Sequence, residues 1–451
     1  MSAPPPFDTV LIANRGEIAL RIQRACRSLG LRTVAAHSEA DRDAPHVRHA
    51  DIALCIGPAS ASHSYLDQAA LLFAAEATGA QAIHPGYGFL AENADFAARV
   101  EQAGLAFIGP SSSAIRMMGD KVAAKRAMRE AGVPCVPGPD TALPADPAAL
   151  HALAAGIGYP VIVKAAGGGG GRGMRVVHDP AALTDAIAVT REEARRAFGN
   201  PEVYLEKFLT HPRHVEIQVL ADHHGTTLWL GSRDCSLQRR HQKVIEEAPA
   251  PFLPPALIAE IGAACVEACR RIGYRGLGTL EFLVEDGIFC FIEMNTRVQV
   301  EHTVTEMVTG IDLVAQQIKA ARGEPLALRQ SDITERGHAF ECRLNAEHPK
   351  TFAPSPGRIT RWDMPGGPGV RIDSHMHAGA IVPPHYDSLI AKLVVHGDTR
   401  AEALARLRVA LDEARIEGIH TNLPLHRRLA QDPGFTQGGV DIHHLERLLA
   451  S

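Results

Sequence analysis

Residues 164–173 read KAAGGGGGRG, a run of five consecutive glycines with a lysine before it and an arginine after it. The run lies between two short stretches of β-forming residues, where a flexible linker would serve no purpose. Because glycine has no Cβ, backbone N–H groups there can approach phosphate oxygens closely, and Lys164 and Arg172 can neutralise their charge. The segment does not match the GxxxxGK[ST] loop, so it predicts another type of nucleotide-binding fold, with the glycines as a closing lid. The alternative is a mobile glycine linker.

The chain before this loop alternates short apolar runs with helical stretches. The apolar runs cover residues 10–13, 33–37, 52–56 and 106–108. Strands separated by helices in this way predict a doubly wound parallel α/β unit. The first turn, NRGE at 14–17, has one glycine where the dinucleotide fingerprint has three, so a nicotinamide-binding domain is disfavoured. The alternative is a plain scaffold domain.

The chain after residue 119 changes character twice. A helix at 120–131 leads into a proline-rich stretch at 134–147, which we interpret as a linker between domains. From about residue 337 further strands mix with a helix that carries leucines at helical spacing. Strands are predicted at 161–164, 203–207, 214–220, 227–230, 278–284, 288–294, 339–344 and 389–395, and a further helix at about 258–272.

Polar residues alternate strictly along and beyond the strand at 288–294. These residues are Glu293, Asn295, Arg297, Gln299 and Glu301. In an extended chain alternate side chains point to the same side, so we expect all five to face one site. Phe289 and Phe291 are expected on the same face, which favours burial over the alternative of a solvated polar face.

The orientation of Glu281, on the preceding strand, depends on the turn sequence EDG. A plain two-residue turn would put Glu281 and Glu293 on opposite faces of the sheet. We expect instead a three-residue turn that closes Val284 on Ile288, pairs Glu281 with Phe291 and makes the two glutamates diagonal neighbours on one face. Two carboxylates and an amide oxygen together suit a hard divalent cation that is held with nucleotide phosphates.

Two further motifs are less specific when each is taken alone. Residues 233–243, RDCSLQRRHQK, are strongly basic but lack the interleaved aromatic residues of a nucleic-acid surface. They fit a cationic pocket for small anions, and the alternative is a solvated charge run. Residues 84–89, HPGYGF, follow a buried strand and by themselves indicate only a loop.

The composition excludes several classes of protein. The 451 residues are 46% hydrophobic and 22% charged, which is typical of about three soluble domains. The formal net charge of -5 gives no global attraction to nucleic acid or anionic lipid, and neither a membrane-spanning stretch nor a targeting signal is recognised. Cys265 and Cys269 are expected to be buried thiols, because the chain has no CxxC pair. We therefore expect a reduced, cytoplasmic protein without nucleic-acid or membrane partners.

The motifs taken together closely resemble biotin carboxylase, the ATP-grasp component of acetyl-CoA carboxylase and related biotin-dependent carboxylases. The matching segments are IANRGEIALRI at 12–22, HPGYGFLAEN at 84–93, MGDK at 118–121, KAAGGGGGRGM at 164–174, PRHVEIQVLAD at 212–222, RDCSLQRRHQKVIEEAPAP at 233–251, IEMNTRVQVEH at 292–302, ECRLNAE at 341–347 and PSPGRI at 354–359. The match covers nearly the whole chain.

The resemblance implies an α/β and α+β architecture of three domains. These are an N-terminal doubly wound α/β domain at 1–119, an ATP-grasp domain at 120–335 with a mobile lid at about 136–208, and a C-terminal mixed domain at 336–451. It also implies ATP-dependent carboxylation of carrier-held biotin, in which bicarbonate reacts first with ATP to give carboxyphosphate.

The resemblance also implies a role for individual residues. The expected ATP-binding residues are Lys121, Lys164, Gly168, Gly169, Gly170, Gly171, Met174, Glu206, Lys207, Leu209, His214, Gln238, His241, Glu281, Leu283 and Glu293. Glu281 and Glu293 would ligate magnesium or manganese, two ions in all, with Asn295 beside them. Bicarbonate would be held by Lys243, Arg297, Gln299 and Val300, with Glu301 as general base. Arg343 would stabilise the negative charge of deprotonated biotin and Tyr87 would line the biotin site.

The implied partners are a biotin carboxyl carrier protein met in trans, carboxyltransferase subunits and a second copy of the chain in a homodimer. Ser232, Thr303 and His348 depart from the residues common in the family, so we expect altered local loops there. One alternative is another ATP-grasp ligase, such as half of a carbamoyl-phosphate synthetase, which would not need Arg343 and Tyr87. The other is a catalytically silent nucleotide-binding or scaffold subunit.

Overall fold

The structure is a computed structural model that describes residues 6–139, 143–144, 146–166 and 173–450, with the side chain of Phe198 left out. The proposed lid glycines at 168–171 and Arg172 lie outside the described residues. Within the described part, no helix combines the length and apolar character needed to cross a bilayer.

A five-stranded parallel sheet forms the N-terminal part, with strand order β3-β2-β1-β4-β5. Its strands are β1 Thr9–Ile12, β2 Arg32–Ser38, β3 Ile52–Gly57, β4 Ala82–His84 and β5 Ala106–Phe107, and its helices are α1 Gly16–Ser28, α2 Pro45–Arg48, α3 Gln68–Thr78 and α4 Ala94–Gln102. The chain winds outward from β1 in both directions, so the prediction of a doubly wound sheet is confirmed.

A small three-stranded antiparallel sheet, ordered β7-β6-β8, follows three helices. These elements are α5 Ser112–Gly119, α6 Lys121–Glu130, α7 Pro147–Ile157, β6 Val161–Ala165, β7 Met174–Val177, α8 Leu183–Phe198 and β8 Val203–Lys207. The helix α8 packs on this sheet through Leu183, Ala186 and Ile187, which gives the small unit an apolar core of its own.

The largest element is an eight-stranded antiparallel sheet with the order β13-β12-β9-β10-β11-β14-β19-β17. Its members and the helices between them are β9 Arg213–Ala221, β10 Thr227–Arg239, β11 Gln242–Ala248, α9 Pro255–Arg271, β12 Gly276–Glu285, β13 Ile288–Asn295, α10 His302–Thr309, α11 Leu313–Ala321, β14 His338–Asn345, β17 Val370–Ser374 and β19 Leu389–Gly397. Two pairs of short strands and the last helices complete the chain as β15 Gly357–Arg358, β16 Arg361–Asp363, β18 Ile381–Val382, α12 Arg400–Glu413, β20 Arg415–Glu417, α13 Leu423–Leu429, α14 Pro433–Gln437 and α15 His444–Ala450. The sheet is continuous across residue 336 through the pairing of β11 with β14.

The hairpin of β12 and β13 corrects one prediction. Glu285 pairs with Ile288, and Asp286 and Gly287 have φ of 52° and 77°, so the turn has two residues and the expected three-residue turn is wrong. The pairing then shifts by one residue between Phe282 and Glu281. Such a shift is a β-bulge, in which two residues of one strand oppose one residue of its partner.

The bulge at Ile292 decides which side chains face the site. Phe282 pairs with Phe291, whereas Glu281 pairs directly with Glu293, so the two glutamates are opposite neighbours rather than diagonal ones. Both glutamates line the central cavity. Phe289 and Phe291 instead pack in the core beneath the sheet with Phe282, so the expectation that they share the face of Glu293 is also wrong. The extra residue changes the alternation of faces along β13.

Candidate active site

A cavity of about 1050 Å³ lies where the loops of the parallel sheet, the small sheet and the central sheet meet. It is lined by every described residue that the resemblance implied. These residues are Tyr87, Lys121, Lys164, Met174, Glu206, Lys207, Leu209, His214, Gln238, His241, Lys243, Glu281, Leu283, Glu293, Asn295, Arg297, Gln299, Val300, Glu301 and Arg343. The five alternating polar residues from Glu293 to Glu301 are among them, although the regular strand ends at Asn295.

Lys243, at the start of β11, is the centre of the charged network. Its Nζ donates to Oε1 of Glu281 at 2.9 Å and to Oε1 of Glu301 at 2.7 Å, and it also donates to Glu216. Burial lowers the pKa of Lys243, but the three carboxylates outweigh burial and raise this pKa well above its ordinary value. One ammonium group therefore contacts three acids that come from three different parts of the chain.

Glu301 lies between two cations. Oε1 accepts from Lys243 and Oε2 accepts from Nη2 of Arg343 at 2.9 Å. Burial raises the pKa of Glu301, but the Lys243 ammonium and the Arg343 guanidinium outweigh burial and lower this pKa to about 2. Arg343 also donates through Nε to Glu246, so its guanidinium is oriented by two carboxylates.

Glu281 and its neighbours form the strongest candidate for a cation site. Oε1 of Glu281 accepts from Nδ2 of Asn295 at 2.7 Å and from Nε2 of Gln299 at 2.8 Å. Burial and the nearby Glu281 both raise the pKa of Glu293, so its carboxylate has too little positive charge around it. Two facing carboxylates, one of which has a raised pKa, fit a hard divalent cation that would add positive charge there. The amide oxygen of Asn295 accepts from Nη2 of Arg297 at 2.9 Å, so Asn295 presents its NH₂ group to Glu281.

Glu216 is a functional candidate that sequence reasoning missed. It lies on β9 with a fully buried side chain, and His214 Nε2 lies 3.2 Å from both Glu216 Oε1 and Glu281 Oε2. The ligand atoms of these three residues all lie within 4.8 Å of one another, as a metal site requires. His214, Glu216 and Gln218 alternate on one strand, and that period of two was the available signal.

The end of the cavity next to the small sheet contains a buried carboxylate between two lysines. Oε2 of Glu206, on β8, lies 2.7 Å from Nζ of Lys164 in an ion pair, and Glu206 also contacts Lys125, a second residue that sequence reasoning missed. Burial and neighbouring cations lower the pKa of Lys164 to about 8 and that of Lys125 to about 7. The Lys207 ammonium donates to the carbonyl of Gly158 at 2.9 Å, which fixes this edge of the small sheet.

Arg297 and Gln299 are held by residues outside the predicted set. The Nε of Arg297 donates to Oε2 of Glu92 at 2.8 Å. The amide oxygen of Gln299 accepts from Arg233, which is fully buried at 0% exposure and also binds Glu216. The loop that follows β13 is therefore tied to both β10 and the loop between β4 and α4.

Tyr87 and His241 lie at two other walls of the cavity. The hydroxyl of Tyr87 donates to Glu17 at the start of α1. Arg240 and His241 form the two-residue turn between β10 and β11 with φ of 48° and 63°, the left-handed conformation that a tight hairpin turn requires at both positions. Gln238 precedes this turn and pairs with Lys243.

The three departures from the family pattern each have a structural role. The backbone N–H of Ser232 donates to Glu335 at 3.3 Å, and Ser232 Oγ accepts from the N–H of Ala250 at 3.1 Å. Thr303 donates its hydroxyl to the buried carboxylate of Glu341. His348 Nδ1 accepts backbone N–H groups of the tight turn that follows it. The departures thus make hydrogen bonds from positions within β10, in the first turn of α10 and in the turn after β14.

Family models match most of the chain in three successive parts. The N-terminal domain of biotin carboxylase matches residues 6–115, the ATP binding domain of the carbamoyl-phosphate synthase L chain matches residues 120–329, and the C-terminal domain of biotin carboxylase matches residues 341–447.

Individual proteins match over nearly the full length. Biotin carboxylase of Pseudomonas aeruginosa is 61% identical over 443 residues, which cover 98% of this chain and 99% of that protein. A pyruvate carboxylase subunit of Methanothermobacter thermautotrophicus is 50% identical over 441 residues, 98% of this chain and 90% of that protein.

Solved structures show the same fold. The biotin carboxylase beta-gamma-ATP complex from Campylobacter jejuni has a TM-score of 0.93 and 48% identity, with 98% of this chain and 99% of that chain covered. The biotin carboxylase domain dimer of Hydrogenobacter thermophilus 2-oxoglutarate carboxylase, in complex with MgADP, ADP and bicarbonate, has a TM-score of 0.91 and 46% identity, with 98% of each chain covered. These relationships confirm the ATP-grasp fold, and this chain belongs to the biotin carboxylase family of ATP-grasp ligases.

Proposed function

We propose that this chain carboxylates biotin carried on a biotin carboxyl carrier protein, with ATP and bicarbonate as co-substrates. Bicarbonate is an anion and a poor electrophile, so the γ-phosphoryl group of ATP is first transferred to it to give carboxyphosphate. Carboxyphosphate then breaks down to CO₂ and inorganic phosphate beside biotin. The ureido nitrogen gives its proton to the released phosphate and attacks the CO₂. One enclosed site has to hold all three reactants, because proximity and exclusion of water supply what solution lacks.

The observation that carries this proposal is the position of Glu301 between Lys243 and Arg343. Its two carboxylate oxygens bind different cations, at 2.7 Å and 2.9 Å. Lys243 also binds Glu281, on the side of the predicted metal, whereas Arg343 belongs to β14 and binds Glu246. Glu301 therefore joins the phosphoryl-transfer side of the cavity to the side where biotin would enter.

At the nucleotide side, we assign the phosphates to Lys121 and Lys164, with the glycines at 168–171 above them. The backbone near Glu206, Lys207 and Leu209 would read the adenine, while Met174 and Leu283 would pack on its faces. His214, Gln238 and His241 would surround the ribose and phosphates. All of the described residues in this set line the cavity.

Glu281 and Glu293 would hold two ions of Mg²⁺ or Mn²⁺, with Asn295 beside them and Glu216 and His214 close enough to contribute. The raised pKa of Glu293, which burial and Glu281 cause, agrees with a carboxylate that awaits a cation. The ions, when bound, neutralise negative charge that builds up on the phosphoryl oxygens during transfer.

Bicarbonate would be held by Lys243, Arg297 and the backbone at Gln299 and Val300, with Glu301 as the general base. In this structure Glu301 is a weak base, because Lys243 and Arg343 hold its pKa at about 2 against the effect of burial. An incoming anion attracts the Lys243 ammonium toward itself, and weakening of that contact raises the basicity of Glu301 when its substrate is in place.

Biotin would bind between Arg343 and Tyr87. The Arg343 guanidinium would face the ureido oxygen and stabilise the enolate-like negative charge that develops when the ureido nitrogen loses its proton. Two carboxylates, Glu246 and Glu301, already hold the guanidinium in place, so little reorganisation is needed when biotin arrives. Tyr87 lines the opposite wall.

We further propose that the chain serves acetyl-CoA carboxylase, and thus malonyl-CoA and fatty acid synthesis, as a homodimer that works with carboxyltransferase subunits. The division into domains at 1–119, 120–335 and 336–451, with a lid at about 136–208, is part of this proposal. The alternative is the biotin carboxylase subunit of another acyl-CoA or pyruvate carboxylase, and the 50% identity to the pyruvate carboxylase relative supports keeping it. Identification of the carboxyltransferase that co-purifies with the chain separates the two.

The proposal is tested by measuring ATP turnover with and without bicarbonate and biotin. We expect turnover that requires bicarbonate and rises when free biotin or biotinylated carrier is added. ATP turnover that does not depend on bicarbonate would reject the proposed reaction. Nucleotide binding without any turnover would indicate a catalytically silent nucleotide-binding subunit.

A further inference from the structure

Lys392 lies in the middle of β19 and its side chain is completely buried, at 0% exposure. Val394, two residues further along the same strand, packs against Val304 and Val308 of α10, so Lys392 points toward the start of that helix. An ammonium group in such a place has lost its water and is costly unless polar partners replace the water. The predicted site residues do not include this lysine.

The contacts of Lys392 lead to two walls of the active site. Its Nζ donates to the carbonyl oxygen of Val300 at 3.0 Å and lies 3.1 Å from Oε1 of Glu17. The same oxygen of Glu17 accepts the hydroxyl proton of Tyr87. A continuous series of polar contacts therefore runs from Val300, through Lys392 and Glu17, to Tyr87.

The two ends of this series belong to different substrates in the proposed function. Val300 lies in the segment assigned to bicarbonate, and its carbonyl is part of the peptide group that leads directly into Glu301. Tyr87 lies in the wall assigned to biotin. Lys392 also pairs across the sheet with Arg343, so the two side chains are neighbours on one face of the sheet.

Stability alone gives no good reason for this arrangement. Replacing a buried ion pair by well-packed apolar residues is often neutral or stabilising, and the surroundings of Val394 show that this face of β19 accepts an apolar side chain. The net effect of Glu17, Glu341 and Asp373 against burial is to raise the pKa of Lys392, so the lysine stays charged. A charged side chain with fixed partners defines the distance between them more strictly than an apolar contact does.

We propose that Lys392 is a positioning residue that holds the bicarbonate segment and the biotin wall at a fixed separation, so that Glu301 and Tyr87 meet their two substrates together. This inference rests on the proposed function, because it takes the assignment of the two walls from it. Lys392 touches neither substrate and acts through Val300 and Glu17.

The test compares Michaelis constants for the three substrates in Lys392→Met and Glu17→Gln. For Lys392→Met we expect KM to rise about tenfold for bicarbonate, in the ATPase assay without biotin, and about tenfold for biotin, while KM for ATP changes less than twofold. Glu17→Gln weakens the contacts to Tyr87 and Lys392 but leaves the hydrogen bond from Lys392 to Val300 in place, so it should raise KM for biotin more than KM for bicarbonate. Lys350→Met, which removes an exposed lysine, serves as the matched control.

Unchanged KM values for bicarbonate and biotin in Lys392→Met, or an equal rise in KM for ATP, would overturn the positioning role. Should Lys392→Met fail to fold, the double variant Lys392→Met with Glu17→Gln leaves no unpaired buried charge from this pair, and the same KM pattern is expected from it. The wild-type enzyme is assayed in parallel to distinguish failure of the proposed function from failure of the role of Lys392. Wild-type turnover that does not depend on bicarbonate would reject the proposed function. Bicarbonate-dependent wild-type turnover, with the same KM values in the variants, would reject only the role of Lys392.

Discussion

Glu281 and Glu293 lie directly opposite each other on neighbouring antiparallel strands, and both side chains face the cavity. This relationship depends on one extra residue, Ile292, because the two-residue turn alone would direct Glu293 into the core with Phe291. Like charges placed opposite each other on a sheet are destabilising. The bulge thus supports an arrangement that suits a bound cation and is unfavourable without one.

Substitution of Glu293 tests the cation site. We expect Glu293→Gln to raise the Mg²⁺ concentration needed for half-maximal bicarbonate-dependent ATPase activity at least tenfold. The same variant should melt at a higher temperature than the wild type in the presence of EDTA, because the repulsion from Glu281 is removed. Asp286→Asn, at the turn of the same hairpin, is the control, and an unchanged Mg²⁺ requirement in Glu293→Gln would contradict the assignment.

Substitution of Glu301 tests the general base. Glu301→Gln should depress both bicarbonate-dependent ATP cleavage and biotin carboxylation about 10²- to 10³-fold, because no carboxyphosphate forms without proton removal. Initial rates of ADP release and of carboxybiotin formation measure the two steps. Glu347→Gln alters another carboxylate of the cavity wall and serves as control. A normal ATPase rate in Glu301→Gln removes this residue from the mechanism.

Substitution of Arg343 separates the two half-reactions. Arg343→Ala should lose biotin carboxylation about 10²- to 10³-fold but retain most bicarbonate-dependent ATP cleavage, since its charge is needed only when biotin loses its proton. Both rates are measured on the same preparation, so that incomplete folding affects them alike. Equal losses in the two assays would show that Arg343 does not act selectively in the second step.

The low pKa of Lys164 predicts proton uptake when ATP binds. Burial and Lys121 lower this pKa to about 8, so above pH 8 much of the free enzyme carries a neutral Lys164. Phosphate oxygens favour the charged form, so affinity for ATP should be greatest below pH 8 and should fall as the pH rises through that value. Calorimetry at pH 8.5 in buffers of different ionisation enthalpy should detect the uptake, and Lys164→Arg should abolish it. Identical uptake in that variant would assign the proton to another group.

The raised pKa of Glu335 predicts that the stability of the fold depends on pH. Burial raises the pKa of its carboxyl group from an ordinary 4.5 to about 7, with one backbone N–H, that of Ser232, as the opposing hydrogen bond. A raised carboxyl pKa destabilises the fold progressively as the pH rises from about 4.5 to 7, and the cost is constant above that range. Glu335→Gln should therefore stabilise the protein by up to about 3 kcal/mol at pH 8, at about 1.36 kcal/mol per pKa unit, and very little at pH 5. Denaturant unfolding at the two pH values checks this, with the exposed Glu417→Gln as control, and equal stabilisation at both would contradict it.

The sequence was sufficient for the architecture but not for the register of the β12–β13 hairpin. Alternation of apolar runs and helices correctly predicted the parallel sheet, because burial on both faces leaves a clear pattern. The presence of both glutamates on one face was also predicted correctly, but for the wrong reason. The bulge depends on how both faces of the hairpin pack, with Phe291 in the core on one face and the glutamates at the cavity on the other. The turn sequence alone therefore does not predict it.

The residues that the motifs missed are those whose role depends on distant partners. Glu216 and Lys125 carry ordinary polar side chains on a strand and a helix, and only folding brings them to Lys243 and Glu206. Lys392 is surrounded in sequence by Ile390, Ala391, Leu393 and Val394, so it reads as an interruption of an apolar strand. Its partners are 92 residues away, at Val300, and further still, at Glu17.

The Lys243 ammonium contacts Glu216, Glu281 and Glu301, so the charged side chains of the cavity already have partners among themselves. Substrates therefore enter by exchange rather than by simple addition. An anion that captures Lys243 leaves acids that favour a cation, and a cation that takes over Glu281 leaves Lys243 available for an anion. The anion and the cation should therefore each bind more tightly when the other is already bound.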